Sequence, residues 1–256
     1  MNFKEKYKEM FSKEKEDKDL LNSQEPEKKL TMKEEAIDFL KDLVVILFIV
    51  ILIRTFIMVP FQISGSSMSD SFYDREYIIV DKFSYLKLPF FGSMSNPTRG
   101  DVVVFRPGVS QDKEFFIKRI VGVPGDTLKI EKGEVYIKKS GNEEFIKLDE
   151  TYLNGNNKGY TYVSGDAEEK LYVVPEDSYF VMGDNRGHST DSRECFYSCV
   201  VHKTNFIKRA DIEGLVLMDL GYFDLWKFGF KNENDQSTSP KFFNIPRQHE
   251  YPELSK

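Results

Sequence analysis

A chain of 256 residues has room for a membrane segment beside one large or two small folded units. Its 42 acidic side chains against 36 basic ones argue against a nucleic-acid partner, which needs surplus Lys and Arg to neutralise phosphates. Two cysteines, Cys195 and Cys199, are too few for a disulfide-stapled mini-domain.

Residues 1–35 are almost all Lys, Glu, Asp, Ser and Asn. They cannot bury enough apolar area to order themselves, apart from a short solvated helix, and are expected to be a disordered cytoplasmic segment. Residues 38–61 are expected to form a single transmembrane helix. Within them Leu43 to Phe61 runs for 19 residues with Arg54 as the one charge. As a helix this run would be roughly 28 Å long, close to the hydrocarbon thickness of a bilayer. A cleaved signal peptide fits poorly, because a long charged stretch precedes the run and no small-residue cleavage site follows closely. Lys28, Lys29, Lys33 and Lys41 precede the run, against Arg75 and Lys82 after it. That bias sets the N-terminus in the cytoplasm and the rest on the outer face of the cell membrane.

Beyond the span the pattern turns extended. Tyr77-Ile78-Ile79-Val80, Val102-Val103-Val104-Phe105, Phe115 to Val123 and Ser178 to Met182 are short β-branched and aromatic runs punctuated by Gly, Pro, Asn and Asp. Lys129 to Ile137 reads as a hairpin around Lys132-Gly133. The fold class is mainly β: an antiparallel catalytic domain from residues 62–126 and 176–222, with a β subdomain inserted at 127–175. Residues 223–256 are expected to be a loosely ordered polar tail.

The three histidines are poorly placed for a hydrolytic triad. His202 and His249 lie in polar stretches, and His188 has Ser189 and Asp191 only as near sequence neighbours, whereas a triad gathers residues from distant segments. A lysine can replace histidine as base if burial lowers its pKa. Lys118 shares a strand face with Phe116 and Ile120, although patterning leaves open a lysine that snorkels to solvent. Ile63-Ser64-Gly65-Ser66-Ser67-Met68-Ser69, just after the apolar run, is a turn that could present a serine beside free N–H groups, or a flexible linker.

Four segments in order resemble the type I signal peptidase family over about residues 43–220. These are Gly65-Ser66-Ser67-Met68, Arg99-Gly100-Asp101-Val102-Val103-Val104-Phe105, Lys118-Arg119-Ile120-Val121-Gly122-Val123-Pro124-Gly125-Asp126, and Gly183-Asp184-Asn185-Arg186 with Ser189 and Asp191-Ser192-Arg193. The resemblance implies a membrane-bound serine endopeptidase that removes signal peptides from exported preproteins. Ser67 would be its nucleophile and Lys118 its general base. Ser189 would orient the lysine, Asp191 and Arg193 would form a supporting ion pair, and Asp184 would stand in the same shell. The Ser67 N–H, helped by Ser66, would bind the oxyanion. Phe61, Ile63 and Met68 would contact a substrate bound as an added β-strand. The lipid bilayer is the other partner, a monomer is the expected state, and no cofactor or metal is implied. Cys195, Cys199 and His202 are too few ligands for a structural zinc site, whereas a disulfide is reasonable outside the cell.

Asp70-Ser71-Phe72 departs from the family's usual Pro-Thr-Leu, and a carboxylate there would favour charged lysine. Gly187 stands where relatives are often acidic. A non-catalytic tethered β-domain is the rival reading from another class, and a peptidase with one dedicated substrate is the rival within it.

Overall fold

The computed structural model describes residues 31–69, 71–85, 87–88, 92–93, 95–107, 114–163, 169–196, 204–224, 229–231 and 249–255. The expectations for residues 1–30, Asp70, Cys199 and His202 lie outside these. The chain divides into two compact units, residues 1–50 and 51–256.

Helix α1 spans Met32–Leu52 and has no buried residue. It opens on a capping box. The Thr31 N–H donates to Glu34 Oε2 at 2.8 Å, and the Glu34 N–H donates to Thr31 Oγ1 at 3.4 Å. Lys33, Glu34, Glu35, Asp38, Lys41 and Asp42 occupy its first half. Among the described residues no helix is long and apolar enough to cross a membrane. The helix read through Phe61 stops earlier: a π-turn at Ile53–Ile57 leads into strand β1, Met58–Gln62. Pro60 is the local reason, since it disfavours helical backbone at Val59, and β1 finds pairing along β2, Tyr77–Asp81. Pro60 is tolerated because β1 is an edge strand.

A two-residue pair, β3 (Lys87–Leu88) and β4 (Gly92–Ser93), stands apart. Strands β5 (Val102–Phe105), β6 (Phe116–Gly122), β7 (Thr127–Glu131), β8 (Glu134–Lys138), β9 (Ile146–Lys147) and β10 (Glu169–Val173) follow. Then come β11 (Ser178–Met182), β12 (Ile207–Lys208), β13 (Ile212–Asp224) and β14 (Gly229–Lys231). The main sheet runs β1-β2-β13-β5-β6-β11-β12, with β14 on β13, and every one of its pairings is antiparallel. A separate sheet, β10-β7-β8-β9, lies within residues 127–173. Its β7–β8 turn is Lys132-Gly133, both at positive φ (51° and 82°), which matches the right-handed twist of the strands it joins.

Alternation buries one face of β7 and β8: Leu128, Ile130, Val135 and Ile137 point into a core shared with Phe180 and Met182. The central strands β5 and β11 are buried on both faces. Val103, Phe105, Ile120 and Val181 fill one side, and Val102, Val104, Val80 and Phe72 the other.

The tail expectation needs correction. Tyr222 to Asp224 pair with β14, and residues 249–255 return to the core as a strap. Tyr251 and Leu254 are buried among Leu128, Ile130 and Phe180, apolar burial that offsets the cost of ordering the segment. The Lys139 ammonium donates to the Leu254 carbonyl at 2.6 Å and the Asp149 N–H to Glu253 Oε1 at 2.8 Å. Gly100, at φ +90°, lies so close to the His249 carbonyl that a Cβ there would collide with it. A chain ending at residue 248 is expected to lose about 3–5 kcal/mol of stability, as large-to-small core substitutions do. An unchanged denaturant midpoint would refute that.

Candidate active site

Ser67 stands in a tight turn directly after β1. The turn closes where the Ser69 N–H donates to the Ser66 carbonyl at 3.0 Å, and continues with Phe72 N–H to Met68 carbonyl at 2.8 Å. Buried Met68 and Phe72 anchor it from beneath, which is why this Gly/Ser-rich stretch is not a linker. Gly65 at φ +99° turns its N–H onto Asp74 Oδ1 at 2.7 Å. From the far side Gly183 packs so tightly that a Cβ would collide with the Ser67 carbonyl and the Ser189 hydroxyl.

Lys118 lies near the start of β6, paired with Val103 of β5. It is 3% exposed, which settles the choice between burial and snorkelling. Its Nζ donates to Ser67 Oγ at 2.6 Å and to the Ile117 carbonyl at 2.9 Å. Burial pulls its pKa down to about 8; Asp191 and Asp184 oppose that shift, and Arg193 assists it.

Each opposing carboxylate carries its own guanidinium. Asp191 binds Arg193 through Nε and Nη2, both at 2.9 Å, and also accepts the Gly183 N–H at 3.0 Å. Burial alone would raise the Asp191 pKa, but Arg193 and these hydrogen bonds hold it below the ordinary value. Asp184 takes a bidentate pair from Arg119 at 2.9 and 2.7 Å, with both side chains fully buried. Arg119 also donates to the Gly100 carbonyl, and its guanidinium stacks 4.1 Å from the Tyr152 ring centre. Arg186 pairs with Glu150 and donates to Thr161 Oγ1 at 2.6 Å. The Tyr152 hydroxyl joins Glu150 and the Tyr251 hydroxyl of the strap.

Ser189 differs from expectation. Its hydroxyl is buried but has no hydrogen bond of good geometry among the described residues, and Lys118 donates elsewhere. It stands close enough to Asp191 to help stabilise that carboxylate. Ser66 is exposed, and its carbonyl rather than its hydroxyl is engaged. Met68 is 1% exposed and lies in the core under the turn, not on the cleft wall.

A cavity of about 510 Å³ opens beside the dyad. Phe61 and Ile63 line it with Ser66, Ser67 and Lys118, as do Ile78, Val104, Phe115 to Ile117, His188 and Thr190. His188 is exposed, and no hydrogen bond of the described residues joins it to Ser67. Of the departing segment, Phe72 fills the core and Ser71 Oγ lies 3.4 Å from Arg119 Nη2. Cys195 is disulfide-bonded and 2% exposed. Among the described residues no cluster of His, Cys, Asp or Glu could hold a metal ion.

Arg119, Glu150, Tyr152 and Asn185 were not assigned roles from sequence. A charge beside Lys118 inside an apolar strand was a signal for Arg119, since a buried charge demands a partner. Glu150 and Tyr152 lie in a turn-rich stretch with no comparable signal.

The architecture is that of a β-sheet protein carrying a Ser–Lys pair at a cleft. Residues 36–219 match the signal peptidase family, peptidase S26. Signal peptidase I of Bacillus amyloliquefaciens is 36% identical over 174 residues, 65% of this chain and 83% of that protein. Signal peptidase I P of Bacillus subtilis subsp. natto is 33% identical over 168 residues, again 65% of this chain and 83% of that protein. A crystal structure of a signal peptidase I from Enterococcus faecalis V583 is 29% identical, with a TM-score of 0.35, and the match covers 48% of this chain and 97% of that one. The chain belongs to the peptidase S26 signal peptidase family.

Burying the Lys118 ammonium opposes folding. Its folded pKa, about 8, lies below the unfolded value of 10.5, so the unfolded chain binds more protons between those pH values and stability rises with pH across that window. Below pH 8 the full cost of about 3 kcal/mol applies. Lys118→Met keeps the shape and removes the charge. It is expected to stabilise the fold by about 2 kcal/mol at pH 7, and by less as pH approaches 10.5. Destabilisation by Lys118→Met at pH 7 would contradict this.

Proposed function

We propose that this chain is a serine endopeptidase that cleaves signal peptides from exported preproteins, with Ser67 as nucleophile and Lys118 as general base and acid. The observation that carries the reading is the 2.6 Å contact between Ser67 Oγ and an amine whose burial brings its pKa to about 8. Neutral Lys118 takes the Ser67 proton as Oγ attacks the scissile carbonyl. The Ser67 N–H then faces the developing oxyanion. The ammonium returns its proton to the leaving amine, and an ester to Ser67 remains. Lys118 next takes a proton from water as its oxygen attacks the ester, then gives that proton to the departing Ser67 Oγ, which releases the acid and restores the hydroxyl and the neutral amine.

Two unpaired edges favour a substrate bound as an extended strand. Among the described residues nothing pairs with β1 opposite β2, and β6 pairs with β11 only from Arg119 onward. Phe61–Ile63 and Phe115–Lys118 therefore face the cavity with main chain to offer, the arrangement that β-augmentation uses. The apolar walls suit the small, uncharged residues that precede a signal-peptide cut. Ser189, Asp191, Arg193 and Asp184 act behind the lysine by setting its charge environment.

The test is cleavage of a preprotein by wild type, Ser67→Ala and Lys118→Ala across pH 5–10. Both substitutions should lower kcat by at least about 10³-fold. Because the neutral amine is the active form, wild-type kcat/KM should climb about tenfold per pH unit below pH 8 and level off above it. Wild-type rates in either variant, or a flat profile down to pH 5, would end the proposal.

The bilayer is the second partner. Every side chain from Leu43 to Met58 is exposed, Val44 by 63% and Ile51 by 61%, and so continuous an apolar surface is costly in water. This stretch enters the lipid as the single anchor, with the N-terminus cytoplasmic and the β domain, a monomer, on the outer face. Full-length protein should stay with membranes through an alkaline wash, and protease added outside spheroplasts should reach the β domain. Release by the wash would refute the anchor.

A further inference from the structure

Ser67 needs more than its base, because the oxygen that becomes negative during attack requires a donor already aimed at it. Among the described residues the Ser67 N–H donates to no protein acceptor. What holds it in one direction is found on the other side of its peptide plane. The Ser66 carbonyl accepts the Asn185 Nδ2–H at 3.0 Å as well as the Ser69 N–H at 3.0 Å. The next carbonyl, that of Ser67, accepts the Asn185 backbone N–H at 3.1 Å. One residue therefore holds two successive carbonyls of the turn.

In a planar trans peptide the C=O of one residue and the N–H of the next point in opposite directions. Fixing the Ser66 carbonyl towards Asn185 thus turns the Ser67 N–H away from Asn185. Ser67 lines the cavity and Asn185 does not, so the N–H is turned towards the substrate side. Asn185 can take this place because Gly183, two residues earlier, lets its loop press against the Ser67 backbone. The side chain is half-buried, and among the described residues it makes no other hydrogen bond.

We propose that Asn185 is a positioning residue that aims the Ser67 N–H as oxyanion donor by clamping the Ser66 carbonyl. The inference rests on the Ser67–Lys118 reading and adds a residue that never touches substrate. Removing the side-chain amide leaves the Ser66 carbonyl held by the Ser69 N–H alone, so the 66–67 peptide can tilt. The transition state then suffers more than the ground state, and Lys118 is left unchanged.

The test uses full-length protein in detergent and a peptide spanning an Ala-x-Ala cut. Asn185→Leu, similar in shape but without a donor, should lower kcat about 10- to 100-fold, somewhat less than outright loss of an oxyanion donor. KM should stay within about twofold, and the pH midpoint of kcat/KM should not move. A peptide aldehyde, which adds Ser67 Oγ to its carbonyl carbon and makes an oxyanion, should lose affinity in parallel with kcat. A non-cleavable peptide of the same sequence should bind as before. Asn185→Ala, a smaller truncation at a half-exposed site, should give the same split. An unchanged kcat, a shifted pH midpoint, or equal weakening of both ligands would overturn the assignment of Asn185. Failure of wild type to cleave, or full activity in Ser67→Ala, would instead remove the dyad reading beneath it.

Discussion

The structure depends on keeping the Lys118 amine away from water without letting neighbouring carboxylates hold it charged. Desolvation pulls the amine towards neutrality, and Asp191 and Asp184 pull against it. Desolvation prevails because neither carboxylate is free: Arg193 engages one and Arg119 the other, each through two nitrogens. A bidentate guanidinium–carboxylate pair presents little net charge to a third group, so the site contains two acids yet remains electrically mild. The cost is a set of buried ions whose partners cannot be removed singly, because a buried ion left without its counter-charge is strongly destabilising.

The same network explains the local backbone. Asp191 accepts the Gly183 N–H, Asn185 holds the carbonyls on either side of the nucleophile's peptide, and Gly183 has no room for a side chain. The segment that neutralises the lysine's surroundings therefore also braces the turn bearing Ser67. Lys118 and Ser67 arrive from positions 51 apart in sequence, and both lean on one short loop near residues 183–193. A shift in that loop would disturb both partners together, which suits a reaction whose two groups must keep hydrogen-bonding distance.

Much of this was legible in the sequence. β-branched and aromatic runs with turn chemistry located β5 to β8 and the Lys132-Gly133 hairpin, because those signals are local. Ser67 and Lys118 could be paired through ordered motifs, but burial of Lys118 could not be read from its strand, since the same pattern serves a snorkelling lysine. Three placements depend on tertiary packing rather than on local pattern: Met68 lies in the core, Ser189 Oγ makes no hydrogen bond to Lys118 among the described residues, and residues 249–255 pack as a strap. The strap is the clearest instance: its polar composition conceals two side chains, Tyr251 and Leu254, whose burial is decided by residues about 70 to 130 positions away. The end of α1 was misplaced for a related reason, since apolar composition continued past Pro60 while backbone chemistry did not.

The strap also changes where the functional unit ends. The family match stops at residue 219, yet the Tyr251 hydroxyl meets the Tyr152 hydroxyl, and the Tyr152 ring lies against Arg119, the partner of Asp184. Asp184 is one of the two charges that face Lys118. The Arg119 guanidinium lies over the Tyr152 ring, and the strap holds that ring through the Tyr251 hydroxyl and the edge-on His249 ring 4.9 Å away. Residues 249–255 thus belong to the set of contacts that surrounds the lysine's charged neighbours. In this protein the boundary of the catalytic fold is drawn by that electrostatic requirement rather than by the end of the sheet.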